Sequence, residues 1–161
     1  MKKLKVYIDT SVFGAFFDRE DPKRVEVTLK FLETVKNEKI EGFISNITLE
    51  EIEKSPPEIR TELKRVIKDI NITVIYETGE CVELVTSYLD EKIIPEKYRD
   101  DARNIAVAVY NGLDAVISWN FRHMVNLIVK RKVNSVNLKL GYSPIEILSP
   151  EEVEINEEMG I

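Results

Sequence analysis

Oxygen donors gather at the ends of apolar runs in this chain. Asp9 closes Val6-Tyr7-Ile8 and is followed by Thr10-Ser11. Asn120 follows the apolar run Ala115–Trp119, and Asp101 opens an amphipathic stretch one turn before Ile105. Glu50, Glu51 and Glu53 crowd a short segment after another apolar run. Each acid by itself serves as well as a helix cap or a solvated charge. Over so few turns, periodicity does not say which glutamate turns inward. The set is more informative than its members: carboxylate and amide oxygens are hard ligands, and a cluster of them suits Mg²⁺ or Mn²⁺ rather than zinc.

Other chemistries lack their parts. There is no Gly-x-x-x-x-Gly-Lys-Ser/Thr loop and no Gly-x-Gly-x-x-Gly, so the phosphate cradles of ATPases and dinucleotide enzymes are missing. A phosphatase with an aspartyl nucleophile wants a second acid two residues on, where Ser11 stands. Cys81 and His123 are each the sole residue of their type, which excludes an internal disulfide and zinc spacing. His123 reads as a packing or helix-end residue and Trp119 as core. The net charge of −6 argues against a uniformly basic nucleic-acid coat, yet Ala115 to Ile145 holds no acid. Arg122, Lys130, Arg131, Lys132 and Lys139 make that stretch locally positive, as a solvated face or as a phosphate-facing patch.

These residues need elements to hold them. Lys5–Asp9 reads as a buried strand running into a helix of Val12, Phe13, Ala15, Phe16 and Phe17. A helix from Pro22 to about Lys36, a strand at Gly42–Ser45 and a helix from Ile47 to Glu53 follow. Ser55-Pro56-Pro57-Glu58 has the pattern of a serine-capped helix start, running to about Lys68. Ile72–Tyr76 is the third strand, and Thr78-Gly79 introduces a helix through Cys81, Leu84, Val85 and Tyr88. After Pro95 comes a helix from Asp101 to Asn111, closed by Gly112. The strand Ala115–Trp119, a helical region from Phe121 and the strand Ile145–Ser149 complete the order. Strands alternating with helices, without hairpin signals, predict an α/β fold with a parallel sheet. Residues 1–150 are expected to form one domain, and 151–161 an acidic C-terminal segment. The lone Cys81, which has no disulfide partner, makes a reducing cytoplasm the expected compartment, and the first apolar run breaks at Asp9, too short for a signal peptide or a membrane span.

The motifs resemble those of PIN-domain proteins, particularly VapC-like toxins. Ile8-Asp-Thr-Ser-Val12 is similar to the first motif of that family. Ile44-Ser-Asn-Ile-Thr-Leu-Glu-Glu-Ile52 resembles the second and Asp101-Ala-Arg-Asn-Ile-Ala106 the third. Ile117-Ser-Trp-Asn-Phe-Arg-His-Met124 resembles the fourth in a Trp-Asn variant, whose end Asn137–Ile147 also matches. The resemblance implies a three-layer α/β/α sandwich on a central parallel sheet of about five short strands. It implies metal-dependent cleavage of RNA by Asp9, Glu51 and Asp101 around Mg²⁺ or Mn²⁺, with Asn120 where many relatives carry an aspartate. Glu51 is selected over Glu50 because it directly precedes an apolar residue, Ile52. Thr10, Ser11 and Ser118 are expected to support the carboxylates, and Arg122, Lys130, Arg131 and Lys132 to hold the RNA backbone. Asp100 and Asp114 remain structural or supporting residues. A cognate antitoxin and a homodimer involving Phe13, Phe16 and Phe17 are the implied protein partners. The alternative is a weakly active or inactive PIN-like module that binds RNA or protein without cutting.

Overall fold

The structure, a computed structural model, describes residues 2–153. Five strands form one sheet: β1 (Lys5–Ile8), β2 (Glu41–Ser45), β3 (Ile72–Ile75), β4 (Ala115–Ile117) and β5 (Glu146–Leu148). Their order is β3-β2-β1-β4-β5 and every neighbouring pair is parallel. The chain moves outward from β1 to β3, then crosses back to β4 and β5. The order therefore reverses between β1 and β4, and a crevice opens there at the strands' carboxyl ends.

Successive strand side chains point to opposite faces, and the sequence alternates to match. Val6, Ile8, Ile44, Ala115 and Ile117 face one core, where α1 (Thr10–Ala15), α2 (Pro22–Lys36) and α4 (Pro57–Asp69) contribute Val12, Phe13, Phe31, Leu32 and Leu63. Tyr7, Phe43, Val116 and Ile147 face the other, covered by α5 (Gly79–Asp90), α6 (Arg99–Tyr110) and α7 (Leu127–Lys139). The short α3 (Asn46–Glu53) gives Ile47 to one core and Ile52 to the other. The result is an α/β/α sandwich on a five-stranded parallel sheet. Among the described residues no helix is long and apolar enough to cross a membrane.

Two close contacts set the sheet under the site. A Cβ on Gly42 would lie 2.8 Å from Val35 Cγ1, so β2 needs glycine for α2 to pack on it. Tyr7 is fully buried, and its hydroxyl group lies 2.7 Å from Ser45 Oγ while donating to Asn104 Oδ1 at 2.5 Å. That network ties the middle of β1 to the end of β2 and to α6.

Several element starts differ from the expected ones. Ser55 does not cap α4: the cap position is Pro56 in extended conformation, and Ser55 Oγ donates back to the Glu51 carbonyl at 3.3 Å. Two consecutive prolines leave the serine nearer the end of α3 than the start of α4. A 3₁₀ turn at Glu96–Tyr98 brings α6 in at Arg99, which places Asp101 in its first turn rather than at its start. Helix α7 begins only at Leu127, because Asn126 caps it through the Val129 amide at 2.9 Å; residues 121–126 form turns. The acidic terminal segment lies outside the described residues from position 154 onward. Residues 150–153 make a helical turn whose Val153 joins the core of α1, α2 and α4.

Candidate active site

Asp9 leaves β1 directly into the crevice and is only 5% exposed. It occupies the position before α1, yet its side chain makes no capping bond to that helix. Its carboxylate instead accepts from Ser11 Oγ at 2.6 Å and from Ser118 Oγ, beyond the end of β4, at 2.8 Å. Ser11 Oγ also accepts the Trp119 amide at 3.0 Å, and Ser118 Oγ the Asn120 amide at 3.0 Å. Two hydroxyls thus bind the two strand ends around one carboxylate. Burial pushes the Asp9 carboxyl above the ordinary range, and these hydroxyls only partly offset it.

Glu51 reaches the crevice from α3 and Asp101 from α6. Asn104 Nδ2 donates to Glu51 Oε1 at 3.2 Å, and Asn120 Nδ2 to Asp101 Oδ2 at 3.2 Å. Burial first, and the Asp9 charge second, raise Glu51 to about 7 and Asp101 to about 6. Thr10 lies close enough to Glu51 to draw its carboxyl down, but its buried Oγ1 is outside hydrogen-bond geometry and has no partner. His123 Nδ1 stands 3.5 Å from Asp101 Oδ2 with its ring 4.0 Å from that of Tyr98. Burial first, and the Arg122 charge second, lower the His123 pKa below its ordinary value, which disfavours a charge beside Asp101.

The neighbouring acids have a different fate. Arg103 of α6 bonds Glu77 at 2.5 Å, Asp100 at 2.9 Å and Glu50 at 3.0 Å. Burial alone would raise Glu77, but Arg103 and Asn46 together hold it below its ordinary value. The charges crowded around the crevice are therefore sorted. Glu50, Glu77 and Asp100 share a guanidinium, while among the described residues Asp9, Glu51 and Asp101 have no lysine or arginine partner. No three His, Cys, Asp or Glu side chains among the described residues converge closely enough, as they stand, to hold one metal ion.

Sequence reasoning missed Arg103, Asn104 and Glu77. The first two lie inside the Asp101–Ala106 stretch, one and two positions past Ala102, but nothing in a linear pattern reveals a partner on α3 or after β3. Asp114 accepts the Lys5 amide at 2.8 Å at the opposite end of the sheet and is structural. Arg122 is exposed beside the crevice, Lys130 pairs with Glu146 at 3.1 Å, and Arg131 and Lys132 are exposed along α7. Phe13 is core, while Phe16 and Phe17 line a groove of about 740 Å³ with Pro22, Val25 and Ile59.

Compared with protein families, residues 5–122 match the PIN domain. Among solved structures, the chain is similar to a crystal structure of VapBC2 from Rickettsia felis bound to a DNA fragment from their promoter. The likeness has a TM-score of 0.59 at 14% identity and covers 91% of this chain and 98% of that one. A second is a crystal structure of VapBC-5 from Mycobacterium tuberculosis, with a TM-score of 0.47 at 17% identity over 90% of this chain and 98% of that one. No curated protein matches.

Proposed function

Because the chain belongs to the PIN-domain family, we propose that it is a divalent-metal-dependent endoribonuclease that hydrolyses RNA phosphodiester bonds at Asp9, Glu51 and Asp101. The observation that carries this reading is the sorting of charge. Six acids surround the crevice, and the three without a lysine or arginine partner are buried or half-buried, with all three carboxyls raised by burial and those of Glu51 and Asp101 raised further by the Asp9 charge. Such a cluster is costly unless a cation joins it.

The donors fit Mg²⁺ or Mn²⁺ in their chemistry. All are oxygens, the Thr10 hydroxyl at the cluster lacks a partner, and Glu51 and Asp101 must move before three carboxylates close on one ion. Asp9, Glu51 and Asp101 would hold the ion, with Asn120 contributing an amide oxygen once its side chain turns from Asp101. A bound ion of this kind lowers the pKa of a coordinated water and stabilises negative charge on the scissile phosphate. Ser11 and Ser118 keep the Asp9 carboxylate aimed into the crevice, and Asn104 orients Glu51.

We place the protein in the cytoplasm as the toxin of a toxin–antitoxin pair, supported by family membership and by a fold shared with the Rickettsia felis protein. A homodimer involving the exposed parts of Phe16 and Phe17 belongs to the same reading. The donation from Asn120 to Asp101, and the open arrangement of the acids, favour one alternative: a PIN-like module that binds RNA or protein without cutting. Thermal unfolding in Mn²⁺ separates the two. Mn²⁺ is expected to raise Tm in wild type and not in Asp9→Asn; no shift at saturating Mn²⁺ favours the binding module.

A further inference from the structure

We propose that Arg24, seated on Trp119, and the exposed ring of Phe121 form a subsite for single-stranded RNA beside the acid cluster, Arg24 taking a backbone phosphate and Phe121 a base. Its place next to a scissile bond rests on the ribonuclease reading above; its capacity to bind RNA does not.

Arg24 lies in the first turn of α2, where Asp21 Oδ1 accepts its amide at 3.1 Å. Its side chain passes over the Trp119 ring, with the guanidinium carbon 4.7 Å from the ring centroid. Trp119 is a fixed seat: its indole N–H donates to Thr28 Oγ1 at 2.9 Å, its amide to Ser11 Oγ at 3.0 Å, and 9% of it is exposed. The one ion pair of Arg24 among the described residues is a 3.6 Å contact from Nε to Asp21. Its terminal nitrogens therefore keep their in-plane donors for another acceptor. A guanidinium seated over an aromatic ring keeps such donors for a phosphate.

The surroundings fit a strand of RNA. A groove of about 530 Å³ is lined by Arg24 together with Ser11 and Asn120, which bond Asp9 and Asp101, so it runs beside the acid cluster. Gly14 lines it with open space where a Cβ would stand. Asp18 also lines it, with its carboxylate accepting the Glu20 amide at 3.1 Å. Arg24, Trp119 and Phe121, with Asp21, Lys23 and Glu151, also line a neighbouring hollow of about 190 Å³. Phe121 is 47% exposed and packs edge-on to Trp119 at 6.1 Å, leaving ring surface to solvent. A base can stack there only if it is unpaired and splayed from its neighbours, which selects single strands over duplexes. Trp119 is the support of the subsite rather than its stacking surface.

The test is fluorescence anisotropy of a labelled short single-stranded RNA with the full chain, in chelator so that nothing is cut, over a range of salt. Arg24→Gln is expected to weaken binding about tenfold and to lower the slope of log affinity against log salt by about 0.7, the contribution of one phosphate on a single strand. Arg24→Lys keeps the slope and recovers part of the affinity. Phe121→Ala weakens binding without changing the slope, and an abasic RNA removes that difference. Equal affinity and slope for wild type and a folded Arg24→Gln overturn the proposal, as does wild type that binds no RNA. RNA binding that depends on Arg24 in a protein that never cuts would sink the nuclease reading and leave the subsite standing. Metal-dependent cutting with binding indifferent to Arg24 would do the reverse.

Discussion

Asn120 Nδ2 donates to Asp101 Oδ2 across 3.2 Å, so the amide in the fourth place of the cluster shares its hydrogens with the carboxylate beside it. Its Oδ1 is also engaged, accepting the His123 amide at 3.0 Å. An aspartate at this position would replace an attractive contact with a repulsive one and add a ligand charge. Asn120→Asp is expected to destabilise the protein in chelator by roughly 1–2 kcal/mol at neutral pH and to enlarge the rise in Tm produced by Mn²⁺. Identical Mn²⁺ shifts in the two proteins would remove Asn120 from the metal site.

The raised carboxyls set a pH dependence with a definite sign. Glu51 at about 7 and Asp101 at about 6 hold protons in the native state that the unfolded chain releases near about pH 4. Below that window both states are protonated and the difference vanishes. Through it the native state binds more protons, so metal-free stability falls as pH rises, and above about 7 the loss is complete. Asp101→Asn removes one repelling charge. It is expected to raise Tm in chelator by roughly 2–4 °C at neutral pH for each kcal/mol relieved, with little effect at about pH 4. A wild-type Tm in chelator that rises from pH 5 to pH 7 would contradict this.

Arg103 joins Glu50 on α3, Glu77 after β3 and Asp100 on α6. Arg103→Gln leaves three acids uncompensated beside three others. Because its side chain is 22% exposed, solvent softens the loss, and a cost of roughly 1–3 kcal/mol is expected in urea unfolding. Adding Glu77→Gln should recover part of that cost, since Glu77, at 14% exposed, is the least solvated partner. Strictly additive effects of the two substitutions would mean that the pair is not coupled.

Strand and helix order was legible because apolar alternation marks each strand: Val6, Tyr7 and Ile8 reach opposite cores as the pattern requires. Asp9, Asp101 and Asn120 were visible as polar residues at element ends. Selecting Glu51 from Glu50 required family resemblance, and the physical difference between them is a long-range one, Arg103 against Asn104. Caps were less legible. Ser55 and Asn126 are both competent caps by type, yet only Asn126 caps in place, because Pro56 and Pro57 hold Ser55 back toward α3. In the basic run at Lys130–Lys132, Arg131 and Lys132 are exposed on α7, while Glu146 takes Lys130, a long-range pairing that the run itself does not reveal.

Cleavage of end-labelled single-stranded and structured RNAs, in Mg²⁺, Mn²⁺ or chelator, tests the central claim most directly when wild type is run beside an Asp9→Asn, Asp101→Asn double variant. The expected result is cutting by wild type that requires the metal and is lost in the variant, with both proteins folded. Cutting that persists in the variant, or wild type inert on every RNA in both metals, would contradict it.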